Sequence, residues 1–99
     1  MNITAEEAKK LMDTEEGYVI LDVRTQAEYE QKHIPGAILI PDYEIEALAL
    51  EKLPDKDQLI LVYCRSGRRS KNAAQILADL GYTNIKEFGG IIDWSYETE

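Results

Sequence analysis

An unbroken apolar run, Leu59-Ile60-Leu61-Val62-Tyr63, leads straight into Cys64 and then into Arg65-Ser66-Gly67-Arg68-Arg69-Ser70. A strand covered on both faces of a parallel sheet needs such a run, because neither face meets water. From Ser70 the periodicity turns helical. Ala73, Ala74, Ile76, Leu77 and Leu80 share a face, and Gly81 is placed to end the helix. Cys64 therefore opens a tight turn at the carboxyl end of a central strand, the edge where open parallel sheets bind their ligands.

The position favours a thiolate. Free cysteine ionises near about 8.5, and a helix N-terminus or nearby cations lower this by one to several units. Backbone N–H groups of the turn and of the first helical residues are expected to point at the sulfur. Arg65, Arg68 and Arg69 add positive charge, with Lys71 close behind. They are three of the four arginines in a chain whose net charge is −8. Gly67 lets the backbone take a positive φ. The competing reading is a buried, inert cysteine beside solvated arginines.

The rest of the chain alternates strands with helices. Asn2-Ile3 reads as a very short edge strand, and Thr4 with Glu7 forms a capping box for a helix whose face includes Ala8, Leu11 and Met12. Tyr18 to Leu21 is a second strand running into Asp22-Val23-Arg24, where Asp22 and Arg24 are read as a structural ion pair rather than substrate contacts. Thr25 and Glu28 repeat the capping box for a short helix through Tyr29. Before the breaker pair Pro35-Gly36 stands His33, read as a hydrogen-bonding partner of its own turn rather than a general base.

Ala37 to Ile40 is the third strand. Asp42 is predicted to N-cap a helix carrying Ile45, Leu48 and Ala49. Leu59 to Tyr63 is the fourth strand and Ile85-Lys86-Glu87-Phe88 the fifth. Gly89-Gly90 then precede a terminal helix with Trp94, and the glycines are read as permitting close packing beside the Cys64 loop. The pattern predicts a parallel sheet with helices on both faces.

At 99 residues the chain has room for one domain, residues 1–99. One cysteine excludes an internal disulfide and a dithiol mechanism; with one histidine, no metal is expected, and no cofactor either. The acidic balance argues against nucleic acid and anionic membrane as partners. No signal-peptide pattern opens the chain and no apolar run could span a bilayer, so the cytoplasm is the expected compartment.

Cys-Arg-Ser-Gly-x-x-Ser at positions 64–70 resembles the active-site loop of the rhodanese (thiosulfate sulfurtransferase) family, in which a cysteine opens a six-residue loop closing at a helix. Asp22-Val23-Arg24, His33-Ile34-Pro35-Gly36-Ala37 and Gly89-Gly90-Ile91-Ile92-Asp93-Trp94 carry the resemblance over nearly the whole chain. It implies a five-stranded, mostly parallel sheet of order 1-5-4-2-3. It also implies Cys64 as nucleophile, Arg65, Ser66, Gly67, Arg68, Arg69 and Ser70 as the substrate-binding loop, and Asp22, Arg24 and His33 as supporting residues.

The implied reaction moves a sulfane sulfur from a small anionic donor, thiosulfate or a persulfide, to a thiophilic acceptor such as cyanide or a thiol, through a Cys64 persulfide. A persulfide carrier or regulatory module fed by a protein donor is the alternative. Related phosphatases separate cysteine and arginine by five residues, a register that would need arginine where Ser70 stands.

Overall fold

The computed structural model describes residues 2–99. Both predicted capping boxes form. Thr4 accepts the Glu7 N–H and starts α1 (Ala5–Thr14), while Thr25 accepts the Glu28 N–H and starts α2 (Gln26–Gln31). Between these helices runs β1 (Val19–Asp22), and β2 is only Ile38–Leu39. The expected cap at Asp42 is absent: Asp42–Glu44 is a 3₁₀ turn, and α3 (Ile45–Lys52) begins with no side-chain cap. Pro41 explains this, because its fixed φ favours entry into a tight turn that carries the chain into the helix.

The remaining elements are β3 (Ile60–Cys64), α4 (Arg68–Asp79) and β4 (Ile85–Gly90). Gly81, at φ 99°, follows α4 in the left-handed conformation predicted for its end. No terminal helix follows the paired glycines. Ile91–Asp93 is a 3₁₀ turn, and Trp94 lies just beyond it in extended backbone, mostly buried.

The sheet departs from the expected five strands in the order 1-5-4-2-3. It has four, all parallel, in the order β2-β1-β3-β4. The segment expected to supply another strand, Asn2-Ile3, makes an isolated parallel bridge from Asn2 to Glu87, with the Ile3 N–H donating to the Glu87 carbonyl at 2.8 Å. Thr4 then turns the chain into α1 before a ladder can grow.

Side-chain alternation along β3 divides the core. Ile60, Val62 and Cys64 face a cluster with Leu21, Ile45, Ala49, Ala73 and Leu77, whereas Leu61 and Tyr63 face one with Ala8, Ile34, Phe88 and Trp94. All five β3 residues are buried. The central strand thus delivers Cys64 to the sheet edge on the α3–α4 side. Among the described residues no helix is long and apolar enough to cross a membrane.

Candidate active site at the Cys64 loop

Only Arg65 and Ser66 separate Cys64, the last residue of β3, from Gly67, the N-cap of α4. Gly67 sits at φ 109°, a conformation a side chain would resist, and its N–H turns back to donate to Cys64 Sγ at 3.0 Å. The helix starts at Arg68, two residues earlier than the apolar periodicity indicated. Arg68 and Arg69 therefore belong to its first turn, a polar turn that apolar spacing cannot register.

Cys64 is 1% exposed. Burial pushes its thiol up, but hydrogen bonds from the Ser70 hydroxyl and from the N–H groups of Ser70, Gly67 and Ser66 outweigh that and leave it below the ordinary cysteine value. Sγ lies 3.5 Å from Ser70 Oγ. The thiolate is favoured by the local hydrogen-bond cradle.

The three arginines divide. Arg69 is engaged: its guanidinium grips Glu28 in a bidentate pair at 2.7 and 2.9 Å, joining α4 to α2. Glu28 also accepts from the Thr25 N–H and hydroxyl. Arg65 and Arg68 are exposed and form no ion pair among the described residues. Together with Ser66 and Asn72 they line a cleft of about 620 Å³. Arg65 also borders a second cleft of about 270 Å³, next to Ile92. A larger cleft of about 720 Å³ lies beside Lys9, Met12, Ile34 and Trp94, on the side of the sheet opposite Cys64, and Cys64 itself lines none of the three clefts. The loop cysteine with the cations beside it, rather than volume, marks the candidate site.

The hydrogen bond from Arg69, helped by those from Thr25, holds the Glu28 carboxyl down to about 2. A depressed carboxyl contributes stability that is present above its unfolded value, about 4.5, and is lost as pH falls toward 2. Wild type should therefore out-melt Glu28→Gln at neutral pH, with the difference closing between about pH 4.5 and 2. Parallel melting curves over that whole range would contradict the assignment.

The residues expected to support the site, Asp22, Arg24 and His33, form no hydrogen bond to the sulfur among the described residues. Asp22 is fully buried and Arg24 nearly so, and they pair through Arg24 Nη2 to Oδ2 at 2.7 Å and Nε to Oδ1 at 3.0 Å. The Tyr63 hydroxyl donates to Asp22 Oδ2 at 2.7 Å and accepts from the Ile34 N–H at 3.1 Å. Arg24 donates to the Lys32 carbonyl at 2.7 Å. The network ties the ends of β1 and β3 to residues 32–34.

His33 faces its own turn. Its ring stacks on Tyr29 at 3.8 Å, and Nδ1 lies 2.8 Å from the Tyr29 carbonyl, so that nitrogen carries a proton. The His33 backbone exchanges two 2.8 Å hydrogen bonds with Glu99.

One residue of the site was not assigned to it from sequence. Glu87 of β4 is 3% exposed and accepts from Ser70 Oγ at 2.7 Å and from the Gly89 N–H at 3.1 Å. The available signal was a charged residue inside a short strand, which strand alternation alone could have turned toward the loop. Gly90 lies against the loop. The Arg65 carbonyl and Ser66 nitrogen occupy the space its Cβ would need, and the Arg65 carbonyl also accepts the Ile92 N–H at 3.2 Å. Gly90 has an ordinary extended backbone at φ −142°, so its requirement is space rather than conformation. Gly90→Ala should destabilise the fold by about 1–3 kcal/mol in urea titrations and displace the loop. A cost near zero would show that the loop yields freely.

Comparison with known proteins bears on this site. The family described as "Rhodanese-like domain" matches residues 4–97. Thiosulfate sulfurtransferase PspE of Escherichia coli (strain K12) is 41% identical over 73 residues, covering 74% of this chain and 70% of that protein. The proposed sulfur carrier protein YrkF of Bacillus subtilis (strain 168) is 41% identical over 98 residues, 98% of this chain but 52% of its own length. A solved E. coli rhodanese with anions superposes with a TM-score of 0.78 at 36% identity, covering 83% of this chain and 96% of that one.

Proposed function

Because this chain belongs to the rhodanese family, we propose that it is a sulfurtransferase in which Cys64 is the nucleophile and thiosulfate or a persulfide is the donor. The supporting observation is the cradle at Sγ: a sulfur at a helix start, receiving the Gly67 N–H at 3.0 Å, with its thiol below the ordinary value. Thiolate is the reactive form.

The thiolate attacks the outer sulfur of thiosulfate. A sulfur–sulfur bond forms to Cys64, the bond inside the donor breaks, and sulfite leaves with the electron pair. The persulfide keeps one negative charge, which the same N–H donors stabilise as preorganised dipoles. Cyanide or a thiolate then takes the outer sulfur and returns Cys64 to its thiolate. Two half-reactions through one covalent intermediate give ping-pong kinetics. Arg65 and Arg68, exposed and without carboxylate partners among the described residues, are the groups proposed to bind the donor's oxygens. Arg69 is committed to Glu28 and is proposed to hold α4 in place.

The carrier reading is favoured by one observation: YrkF aligns along 98% of this chain, which spans only about half of that protein. Intact-protein mass spectrometry after incubation with thiosulfate separates the two readings. Gain of one sulfur, removed by cyanide with release of thiocyanate, is the expected result. No gain from thiosulfate, with gain from a protein persulfide donor, would replace the enzyme reading with the carrier.

A further inference from the structure

Glu87 is a buried acid beside the sulfur that the reaction above does not use. Ser70 Oγ lies between them, and its single hydroxyl proton has four acceptors within reach: Glu87 Oε1 at 2.7 Å, the Gly67 carbonyl at 3.1 Å, the Gly89 carbonyl at 3.3 Å and Cys64 Sγ at 3.5 Å. We propose that Glu87 is a positioning residue that governs Cys64 through Ser70, the three side chains sharing one negative charge that resides on sulfur or on the carboxyl. This deepens the sulfurtransferase reading and rests on Cys64 being its nucleophile.

Two arrangements satisfy the geometry. With Glu87 ionised, Ser70 gives its proton to the carboxylate, and its oxygen accepts from the Cys64 thiol. With Glu87 protonated, the carboxyl donates to the Ser70 oxygen and the serine proton turns to a thiolate. Passing from one to the other breaks the S–H bond and forms a carboxyl O–H bond, while Ser70 exchanges one proton for another. No proton leaves the buried site, and the charge of the trio is unchanged. The Ser70 hydrogen bond that favours the thiolate is available only in the second arrangement, so the state of Glu87 determines it.

Other charged groups near the trio have partners of their own or face solvent. From α4, Arg69 feels the Cys64 charge but is held by Glu28, while Arg68 and Lys71 are exposed. From β1 and β3, Asp22 is taken by Arg24 and by the Tyr63 hydroxyl. From α1, Glu7 caps with Thr4 and Lys9 pairs with Asp13. Arg65 of the loop is exposed, and Lys86 precedes Glu87 on β4 in a partly buried position. None forms an ion pair with Glu87 among the described residues.

The test follows alkylation of Cys64 by iodoacetamide against pH, with no sulfur donor present, so it can fail while sulfur transfer stands. Wild type should show two inflections, because two coupled groups titrate as a pair. Glu87→Gln, which is isosteric and cannot take the proton, should show one, displaced by about one pH unit or more. Identical profiles would overturn the proposal. A second readout avoids dependence on that variant's folding: the side-chain carboxyl carbon of Glu87, followed by NMR in the otherwise unaltered chain and in Cys64→Ser. Its titration should move when the thiol is removed, and an unmoved midpoint would equally refute the coupling.

Discussion

Cys64→Ser should lower thiosulfate-to-cyanide transfer by on the order of 10⁴-fold or more, as loss of a covalent nucleophile does elsewhere. A hydroxyl in the same cradle can still accept the Gly67 N–H, but it ionises far above neutrality and cannot form the sulfur–sulfur bond of the intermediate. The substitution is close to isosteric. Ser70 lies 3.5 Å from Sγ and can serve as partner to the new hydroxyl, so the melting temperature should move little. The measurement pairs thiocyanate production with thermal unfolding on the same preparations. Turnover within tenfold of wild type in a folded variant would remove Cys64 from the chemistry.

Asp22→Ala should produce the largest loss of stability, about 3–5 kcal/mol, because it leaves the Arg24 guanidinium buried without its partner. The loss goes beyond one ion pair. The Tyr63 hydroxyl would lose its acceptor, and the contact it relays to the Ile34 N–H would be left to hold alone. In a chain of this size that cost corresponds to a fall of roughly 15–30 °C in Tm. Replacing both residues, Asp22→Leu with Arg24→Met, should cost less than Asp22→Ala alone, since the uncompensated charge goes with its partner. Urea titrations of the three proteins decide it. A single-variant loss below about 1 kcal/mol would mean that Arg24 reaches water or finds another partner.

Local rules that depend on neighbours in the chain were legible in the sequence. The capping boxes at Thr4 and Thr25, the turn glycine Gly81 and the apolar β3 run each involve residues within a few positions of one another. Asp22 with Arg24 was legible for the same reason, two positions apart at a strand end.

Distant encounters were harder to read. Nothing in the loop itself indicates that Arg69 is claimed by Glu28, forty-one positions away. The link from Glu87 to Ser70 crosses seventeen positions and depends on β4 lying beside β3 in one particular register. The expected edge strand at Asn2-Ile3 failed for a different reason. Thr4 caps α1 directly after this segment, so pairing with β4 stops at a single bridge, and the resemblance that supplied the strand order could not report that.

The burial of Cys64 has a consequence for which molecules can meet it. At 1% exposure the resting sulfur is shielded by its own loop, and a bulky thiol or oxidant has little access to it. Once a second sulfur is attached, the reactive atom stands about 2 Å beyond Sγ, one sulfur–sulfur bond length. In the proposed cycle the cargo therefore projects its own handle. The empty protein is a closed fist, and loading it is what puts something within an acceptor's grasp.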